Sequence, residues 1–197
     1  MIFNYDSKIK SYQKLFELSK IKKLKILDFG CGKGVWDLEI IKNKKIKKII
    51  LFDKEKKLIS FLKKKYTNKK IEINFNLNKI IKKNNFNLIV FFSVVQYMNK
   101  KELFETLKKL SYKKTFILSD VPVLPRILEF FLLPLFNWKR FIFALKIIFL
   151  NKYQMLNYYI YKKSDFKQLK KYFFITFHEN LHDLKNLRYT VILRPKN

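Results

Sequence analysis

The sequence predicts an α/β fold: a three-layer sandwich around a mostly parallel seven-stranded sheet whose last strand is antiparallel. Three observations support it. Short apolar segments typical of strands alternate with helical periodicity, which favours a parallel sheet. The segment FNLIVFF is almost uniformly apolar, as expected for a strand covered on both faces. The last two strand segments are separated by a polar stretch too short for a crossover helix, which indicates an antiparallel hairpin.

Each predicted element follows from its local pattern. Helical spacing of apolar residues covers residues 7–20, 33–43, 54–65 and 100–111. The seven strand candidates are KILDF at 25–29, KIILF at 48–52, IEINF at 71–75, FNLIVFF at 86–92, TFILSD at 115–120, FFITFHE at 173–179 and RYTVILRP at 188–195. No internal repeat or flexible linker divides them.

Length and composition limit the class of protein. A chain of 197 residues is long enough for a single domain, 1–197, to bury a core without disulfides or a structural metal. One cysteine excludes a disulfide framework and a cysteine-based zinc cluster. A hydrophobic content of 49% excludes a disordered chain. The N-terminus lacks the pattern of a signal peptide, so we expect a cytoplasmic location, with peripheral membrane contact as the alternative.

The net charge of +29 arises from 44 Lys and Arg residues against 15 Asp and Glu residues. One interpretation is an electrostatic surface for nucleic acid or an anionic membrane. We favour codon drift in an AT-rich genome, because the cations are mostly lysines spread along the whole chain, whereas phosphate recognition usually recruits arginine. Only nonspecific adhesion to nucleic acid is expected from this charge.

Residues 124–163 interrupt the alternation after the fifth strand and predict a helical insertion. Its central part, 127–150, is apolar but is broken by charged residues and a proline, and neither half reaches the roughly 18–20 residues of a spanning helix. We favour a helical hairpin that covers a substrate pocket as a lid. The alternative is an interfacial element in which residues 127–152 contact an anionic membrane.

All three glycines of the chain, Gly30, Gly32 and Gly34, follow the first strand directly. Glycine permits positive φ and close approach of the backbone to a ligand, and the first turn of an open α/β sheet is where ligands bind. The spacing G-x-G-x-G differs from the dinucleotide and Walker patterns. Asp28 precedes the first glycine by two residues, and Asp53 ends the second strand, where a carboxylate suits a ribose diol.

These residues resemble the class I S-adenosylmethionine-dependent methyltransferase family. The run Asp28-Phe29-Gly30-Cys31-Gly32-Lys33-Gly34 is similar to the family's first motif, Leu51–Asp53 to its second, and Phe86–Asn99 to its fourth strand and the following loop. The resemblance covers most of the chain but not residues 124–163. It implies a Rossmann-like fold, methyl transfer as the activity and S-adenosylmethionine as the cofactor.

The resemblance also implies a set of cofactor contacts. Gly30 and Gly32 would admit the methionine part of the cofactor, and Asp28 would organise the loop or meet the amino group. Asp53 would hold the ribose. Asn76 stands near the position where the family often has an acidic residue that contacts adenine. The cofactor-binding candidates are Asp28, Phe29, Gly30, Cys31, Gly32, Gly34, Asp53, Lys54, Asn76, Ser93 and Gln96.

The catalytic residues are less well specified by the sequence. Methyl transfer from a sulfonium mainly requires alignment of the acceptor, but a hydroxyl acceptor also needs a general base. The candidates for that base are Asp120, His178 and His182. The two histidines are four residues apart in a strand pattern without a third ligand, so no metal site is predicted. Cys31 has no base near it in the sequence, so we expect no nucleophilic role.

The sequence therefore predicts an enzyme that methylates a small-molecule acceptor, such as a saccharide or a lipid-linked metabolite. Methylation of RNA or protein is an alternative that the positive charge favours, although the chain carries no N-P-P-Y-type motif after the fourth strand. A non-catalytic, basic protein at the membrane surface is a third interpretation. The intact glycine run and the two aspartates argue against a degenerate cofactor site.

Overall fold

The computed structural model describes residues 13–14, 16–34, 37–66, 68–123, 142, 159–179 and 188–196. These residues contain a seven-stranded sheet with the strand order β3-β2-β1-β4-β5-β7-β6. The strands are β1 (Leu24–Phe29), β2 (Ile46–Phe52), β3 (Ile71–Asn74), β4 (Leu88–Phe92), β5 (Thr115–Pro122), β6 (Phe173–Glu179) and β7 (Arg188–Pro195).

The first five strands are parallel, and β7 runs antiparallel to both β5 and β6. The predicted, mostly parallel sheet with a reversed last strand is confirmed. The strand order changes direction between β1 and β4, so the carboxyl ends of these two strands border the crevice where open α/β sheets bind ligands. The glycine run follows β1 and therefore lies at this crevice.

Four α-helices connect the parallel strands: α1 (Asp37–Ile40), α2 (Lys56–Lys65), α3 (Leu77–Lys83) and α4 (Lys100–Lys109). Two 3₁₀ helices cover Val95–Tyr97 and Lys163–Lys171. Helix α3 is not among the predicted elements: it has only seven residues, and its apolar positions, Leu77, Ile80 and Ile81, cover little more than one helical turn. Its start is fixed by Asn76, whose side chain accepts a hydrogen bond from the backbone N–H of Lys79 at 3.0 Å.

Both faces of the sheet are covered by apolar side chains, which completes the three layers. Alternate residues of one strand serve opposite faces, as Ile49 and Ile50 show: they belong to separate clusters. Among the helices of the described part of the chain, none is long and apolar enough to cross a bilayer. Most of the predicted insertion at 124–163 lies outside the described residues, and its role stays a prediction.

Candidate functional site

The glycine run forms a loop that is hydrogen-bonded to the end of β2. The backbone N–H groups of Gly30 and Cys31 both donate to the carbonyl oxygen of Phe52, at 2.8 and 3.0 Å. The next N–H, that of Gly32, donates to the Asp53 carboxylate Oδ2 at 3.0 Å. Three successive backbone N–H groups of the loop therefore donate to two successive residues: Phe52, the last residue of β2, and Asp53, which follows it. The glycine run and the segment Leu51–Asp53, the two motifs found in the sequence, are thus hydrogen-bonded to each other.

The glycines differ in what surrounds them. A Cβ atom on Gly30 would lie 2.6 Å from a methyl carbon of Val94, and one on Gly34 would lie 2.9 Å from the side chain of Leu62. A Cβ atom on Gly32 would meet nothing within 4 Å. Gly30 and Gly32 both have positive φ, +75° and +57°. Gly30 therefore serves close packing, whereas the backbone of Gly32 faces open space.

The Asp53 carboxylate holds both its own turn and the glycine loop. Its Oδ1 accepts a hydrogen bond from the N–H of Glu55 at 2.9 Å, while Oδ2 accepts the one from Gly32. A carboxylate oxygen can accept two hydrogen bonds, so these contacts leave capacity for further donors. Lys54 follows Asp53 and is exposed.

Asp28 is buried beneath the loop and lies against a second aspartate, Asp37, at the start of α1. Asp28 is 4% exposed and Asp37 1%. Burial raises the pKa of Asp28 well above its usual value, and the neighbouring Asp37 and Asp53 carboxyls raise it further. Burial also raises the pKa of Asp37 to about 7, against the opposing effect of its contact with Asp28. Sequence reasoning missed Asp37.

Two candidates of the loop direct their side chains into apolar surroundings. The Phe29 ring stacks on Phe91 with centroids 4.6 Å apart and lies 4.8 Å from the ring of Phe52. Burial raises the pKa of the Cys31 thiol, and the nearby aspartates raise it further, so the thiol stays protonated. Phe29 and Cys31 are therefore placed to offer backbone contacts, and the thiol is no nucleophile.

The end of β3 presents Asn76 and one residue that the sequence reasoning missed. The Asn76 side-chain oxygen caps α3, so one of its acceptor sites is already used. The neighbouring Phe75 is 47% exposed, with the Lys56 ammonium 5.7 Å from its ring centroid. An exposed aromatic residue after the third strand was a detectable signal, because it offers a flat apolar face at the ligand edge.

Beyond β4, four polar side chains form a continuous network. The Ser93 hydroxyl donates to Asp120 Oδ2 at 2.6 Å, and Arg188 Nη1 donates to the same oxygen at 3.0 Å. Arg188 Nη1 also lies 2.8 Å from Gln96 Oε1, and Gln96 Nε2 donates to the Ser93 carbonyl at 3.0 Å. The structure thus brings together three predicted residues, Ser93, Gln96 and Asp120, around a buried arginine.

Arg188 is the third residue that sequence reasoning missed. Its side chain is 3% exposed, and it forms an ion pair with Asp120. It opens β7, which pairs with β5 so that Arg188 lies opposite Pro122. The detectable signal was an arginine at the start of an apolar strand, in a chain whose cations are mostly lysines.

Backbone strain marks the same network. Ser93 and Asp120 have φ of +56° and +65°, which side-chain-bearing residues rarely adopt. The register of β5 against β7 shifts between Leu118 and Val121, and the N–H of Ser93 donates to the carbonyl of Ser119 at 3.2 Å. The irregular backbone thus coincides with the hydrogen-bonded pair of Ser93 and Asp120.

The chain returns from residues 124–158 beside this network. The N–H of Tyr159 donates to the carbonyl of Gln96 at 2.9 Å, and that of Tyr161 donates to Pro122 at 3.1 Å. The Tyr161 hydroxyl donates to the carbonyl of Met98 at 2.5 Å. The residues on either side of the central insertion are therefore fixed at the carboxyl ends of β4 and β5.

His178 lies farther from the glycine loop than the other candidates. It is on β6, the edge strand, which β7 separates from β5. Its Nε2 is 3.1 Å from the Thr176 hydroxyl. Burial lowers the pKa of His178, and the charges of Arg194 and Lys14 lower it further, so the ring is neutral at pH 7. The other histidine candidate, His182, lies outside the described residues.

Comparison with known proteins agrees with this architecture. A family model described as a methyltransferase domain matches residues 20–130, which include β1 to β5 and the glycine loop. The chain belongs to this methyltransferase family. The expected class I S-adenosylmethionine-dependent methyltransferase family is thereby confirmed. No curated protein sequence matches the chain significantly.

Solved structures share the fold at low sequence identity. The PH0226 protein from Pyrococcus horikoshii OT3 is 19% identical with a TM-score of 0.62, covering 98% of this chain and 92% of that one. An S-adenosylmethionine-dependent methyltransferase from Clostridium acetobutylicum ATCC 824 is 14% identical with a TM-score of 0.62, over the same shares. Magnesium protoporphyrin IX methyltransferase from Synechocystis PCC 6803, solved with S-adenosylhomocysteine, is 15% identical with a TM-score of 0.60 and covers 97% and 82%.

Proposed function

We propose that the protein transfers a methyl group from S-adenosylmethionine to a small-molecule acceptor, with the cofactor held at the glycine loop. The observation that carries this proposal is the position of Gly32. Its backbone faces open space, while its N–H is fixed by Asp53 at 3.0 Å. A bare backbone held rigidly beside a carboxylate is suited to a ligand that needs close approach and a hydrogen-bond acceptor.

The residues present fit the chemical groups of the cofactor. The spare acceptor capacity of Asp53 suits a ribose diol, and the exposed ring of Phe75 offers a face for an adenine base. The buried carboxyl groups of Asp28 and Asp37 lie next to the loop, where they suit the ammonium group at the amino-acid end of the cofactor. Ser93 and Gln96 border the site on the β4 side.

The bound cofactor supplies an electrophilic methyl group on a sulfonium, so the chain's own task is alignment. The network around Arg188 is built for that task. Asp120 Oδ2 already accepts hydrogen bonds from Ser93 and Arg188, which favours a positioning role for Asp120 over a role as general base. Strained backbone at Ser93 and Asp120 is consistent with a preorganised site.

A small acceptor is favoured by where the insertion is attached. Its flanking residues are fixed at Gln96 and Pro122, on the side of the crevice away from β3. An insertion attached there would cover the acceptor and exclude water. A saccharide or a lipid-linked metabolite would suit a site roofed by the apolar residues of 127–150.

Calorimetric titration with S-adenosylhomocysteine tests the cofactor site. We expect binding by the unmodified chain and none by Gly32→Arg, because the new side chain would fill the open space. Glu105→Arg is the matched control, since it places an arginine on the exposed face of α4. A chain that does not bind S-adenosylhomocysteine would overturn the proposal.

Transfer of labelled methyl groups identifies the acceptor class. Metabolite extract, bulk RNA and a protein fraction are offered in parallel with S-adenosylmethionine. We expect label in the metabolite fraction, and label only in RNA or protein would replace the small-molecule assignment.

Membrane contact through 127–152 is proposed separately and is tested by flotation on anionic vesicles. The intact chain is compared with a folded variant that lacks 127–150. Equal flotation of the two would reject contact through this segment.

A further inference from the structure

The carboxyl groups of Asp28 and Asp37 form an unusual pair. Asp28 lies at the end of β1, and Asp37 is the first residue of α1. Both side chains are more than nine-tenths buried. Among the described residues, Asp28 Oδ1 and both carboxyl oxygens of Asp37 have no donor group as a partner. Buried polar atoms normally have partners, so three unsatisfied oxygens in one place need an explanation.

No cation neutralises this pair within the described part of the chain. None of the ion pairs formed there includes Asp28 or Asp37. Among the described residues, the other titratable groups that face them are the Cys31 thiol of the loop and the Asp53 carboxylate after β2, and neither supplies positive charge. Two carboxyls in contact in a buried site cannot both ionise readily, so together they hold one proton.

The charge of the pair reaches the cofactor loop. Both Asp28 and Asp37 raise the pKa of the Cys31 thiol, which lies between Gly30 and Gly32. The interaction is mutual, because electrostatic coupling between two groups acts equally on both. A cation placed over the loop would therefore favour the ionised form of the pair.

We propose that Asp28 and Asp37 release their shared proton when the α-ammonium group at the amino-acid end of the cofactor binds over the glycine loop. In this step one carboxyl O–H bond breaks, the proton passes to the solvent, and two carboxylates remain close to one ammonium group. Asp37 acts as a positioning residue through Asp28 and the loop. This inference rests on the proposed function, because it takes S-adenosylmethionine as the ligand.

The proposal makes cofactor binding depend on pH. Below the pH at which the free pair loses its proton, the affinity for S-adenosylhomocysteine should increase as the pH is raised. The increase should be up to about tenfold per pH unit, as linkage requires for release of one proton. Methylthioadenosine keeps the nucleoside and the thioether but lacks the amino-acid end. Its affinity should not change with pH over the same range.

Calorimetry in two buffers measures the released proton directly. S-adenosylhomocysteine is titrated at pH 6.5 in phosphate and in a buffer with a much larger heat of ionisation. The difference between the apparent enthalpies should correspond to release of about one proton per ligand. Asp37→Asn should lose this difference. Glu39→Gln, on the same helix but part of the surface ion pair with Lys42, should retain it.

Several outcomes would overturn the proposal. They are equal enthalpies in the two buffers for the unmodified chain, equal proton release with methylthioadenosine, and unchanged proton release in Asp37→Asn. In each of these cases S-adenosylhomocysteine still binds, so the proposed function stands while this inference fails. Absence of S-adenosylhomocysteine binding would remove both. If Asp37→Asn does not fold, the comparison of the two ligands on the unmodified chain decides.

Discussion

The carboxylate of Asp53 accepts a hydrogen bond from the backbone N–H of Gly32 at 3.0 Å. This contact joins the loop after β1 to the end of β2, beside the two hydrogen bonds that the N–H groups of Gly30 and Cys31 donate to Phe52. Asp53 therefore does more than offer oxygens to a ligand. It also sets the position of the backbone on which that ligand would lie.

The double role of Asp53 can be separated by two substitutions. Asp53→Ala removes the loop contact and the ribose acceptor, so we expect at least a tenfold loss of S-adenosylhomocysteine affinity. Asp53→Asn keeps one oxygen that can accept the Gly32 N–H, and its loss should be smaller. Calorimetry measures both, with Glu105→Gln as a charge-matched control. Equal affinity of Asp53→Ala and the unmodified chain would contradict the assignment.

Substitutions of two glycines should affect different properties. Gly30→Ala forces a Cβ atom to 2.6 Å from Val94 at positive φ, and we expect a loss of roughly 2–4 kcal/mol in the free energy of unfolding. Adding Val94→Ala should restore part of it. The Cβ atom of Gly32→Ala would meet no neighbour, so the free energy of unfolding should fall by only about 1–2 kcal/mol, from the positive φ. Urea denaturation checks the order, and a larger loss for Gly32→Ala would contradict it.

Removing the buried guanidinium should be costly. Arg188→Met leaves the Asp120 carboxylate without its ion pair, and we expect a loss of roughly 3–5 kcal/mol in the free energy of unfolding. The double variant Arg188→Met/Asp120→Asn also removes the charge that Arg188 compensated and should recover part of that loss. Chemical denaturation of Arg188→Met, Asp120→Asn and the double variant gives the coupling free energy between the two side chains. Strict additivity of the two substitutions would refute a direct interaction.

The Asp28–Asp37 pair should make stability depend on pH. Burial raises the pKa of Asp37 from its ordinary 3.8 to about 7, so between these values the folded chain holds a proton that the unfolded chain has released. Stability therefore falls as the pH rises through this window. Asp37→Asn removes that cost, so its thermal midpoint should exceed that of the unmodified chain at pH 8 and converge with it toward pH 5.

Thermal unfolding monitored by circular dichroism from pH 5 to pH 8 measures this difference. Glu39→Gln is the control on the same helix and should follow the unmodified chain at every pH. A constant difference between Asp37→Asn and the unmodified chain would show that Asp37 does not titrate in this range.

The mostly parallel sheet with its reversed last strand could be predicted from the sequence, because apolar runs and short connections have few topological solutions. The glycine loop could also be predicted from the sequence, since Gly30, Gly32 and Gly34 are the chain's only glycines. The separate roles of these glycines could not be predicted, because Gly30 packs against Val94, which belongs to a loop distant in sequence. Spacing alone cannot show which glycine faces open space.

Residues that act through partners were harder to predict. Asp37 resembles any acidic residue in the first turn of a helix, and only its burial against Asp28 sets it apart. Arg188 is separated by 68 residues from Asp120, its ion-pair partner. The apolar residues of helix α3, Leu77, Ile80 and Ile81, cover little more than one turn, so its asparagine cap was a needed second signal.

The cluster of acidic residues Asp28, Asp37 and Asp53 lies within a molecule of net charge +29. At a distance the lysines repel a cationic ligand, and this repulsion is screened by salt over a Debye length of about 8–10 Å. Close to the loop, attraction by the aspartates is shorter in range and less screened. S-adenosylmethionine carries one more positive charge than its demethylated product. Its association rate should therefore increase with ionic strength, while that of the product should change little.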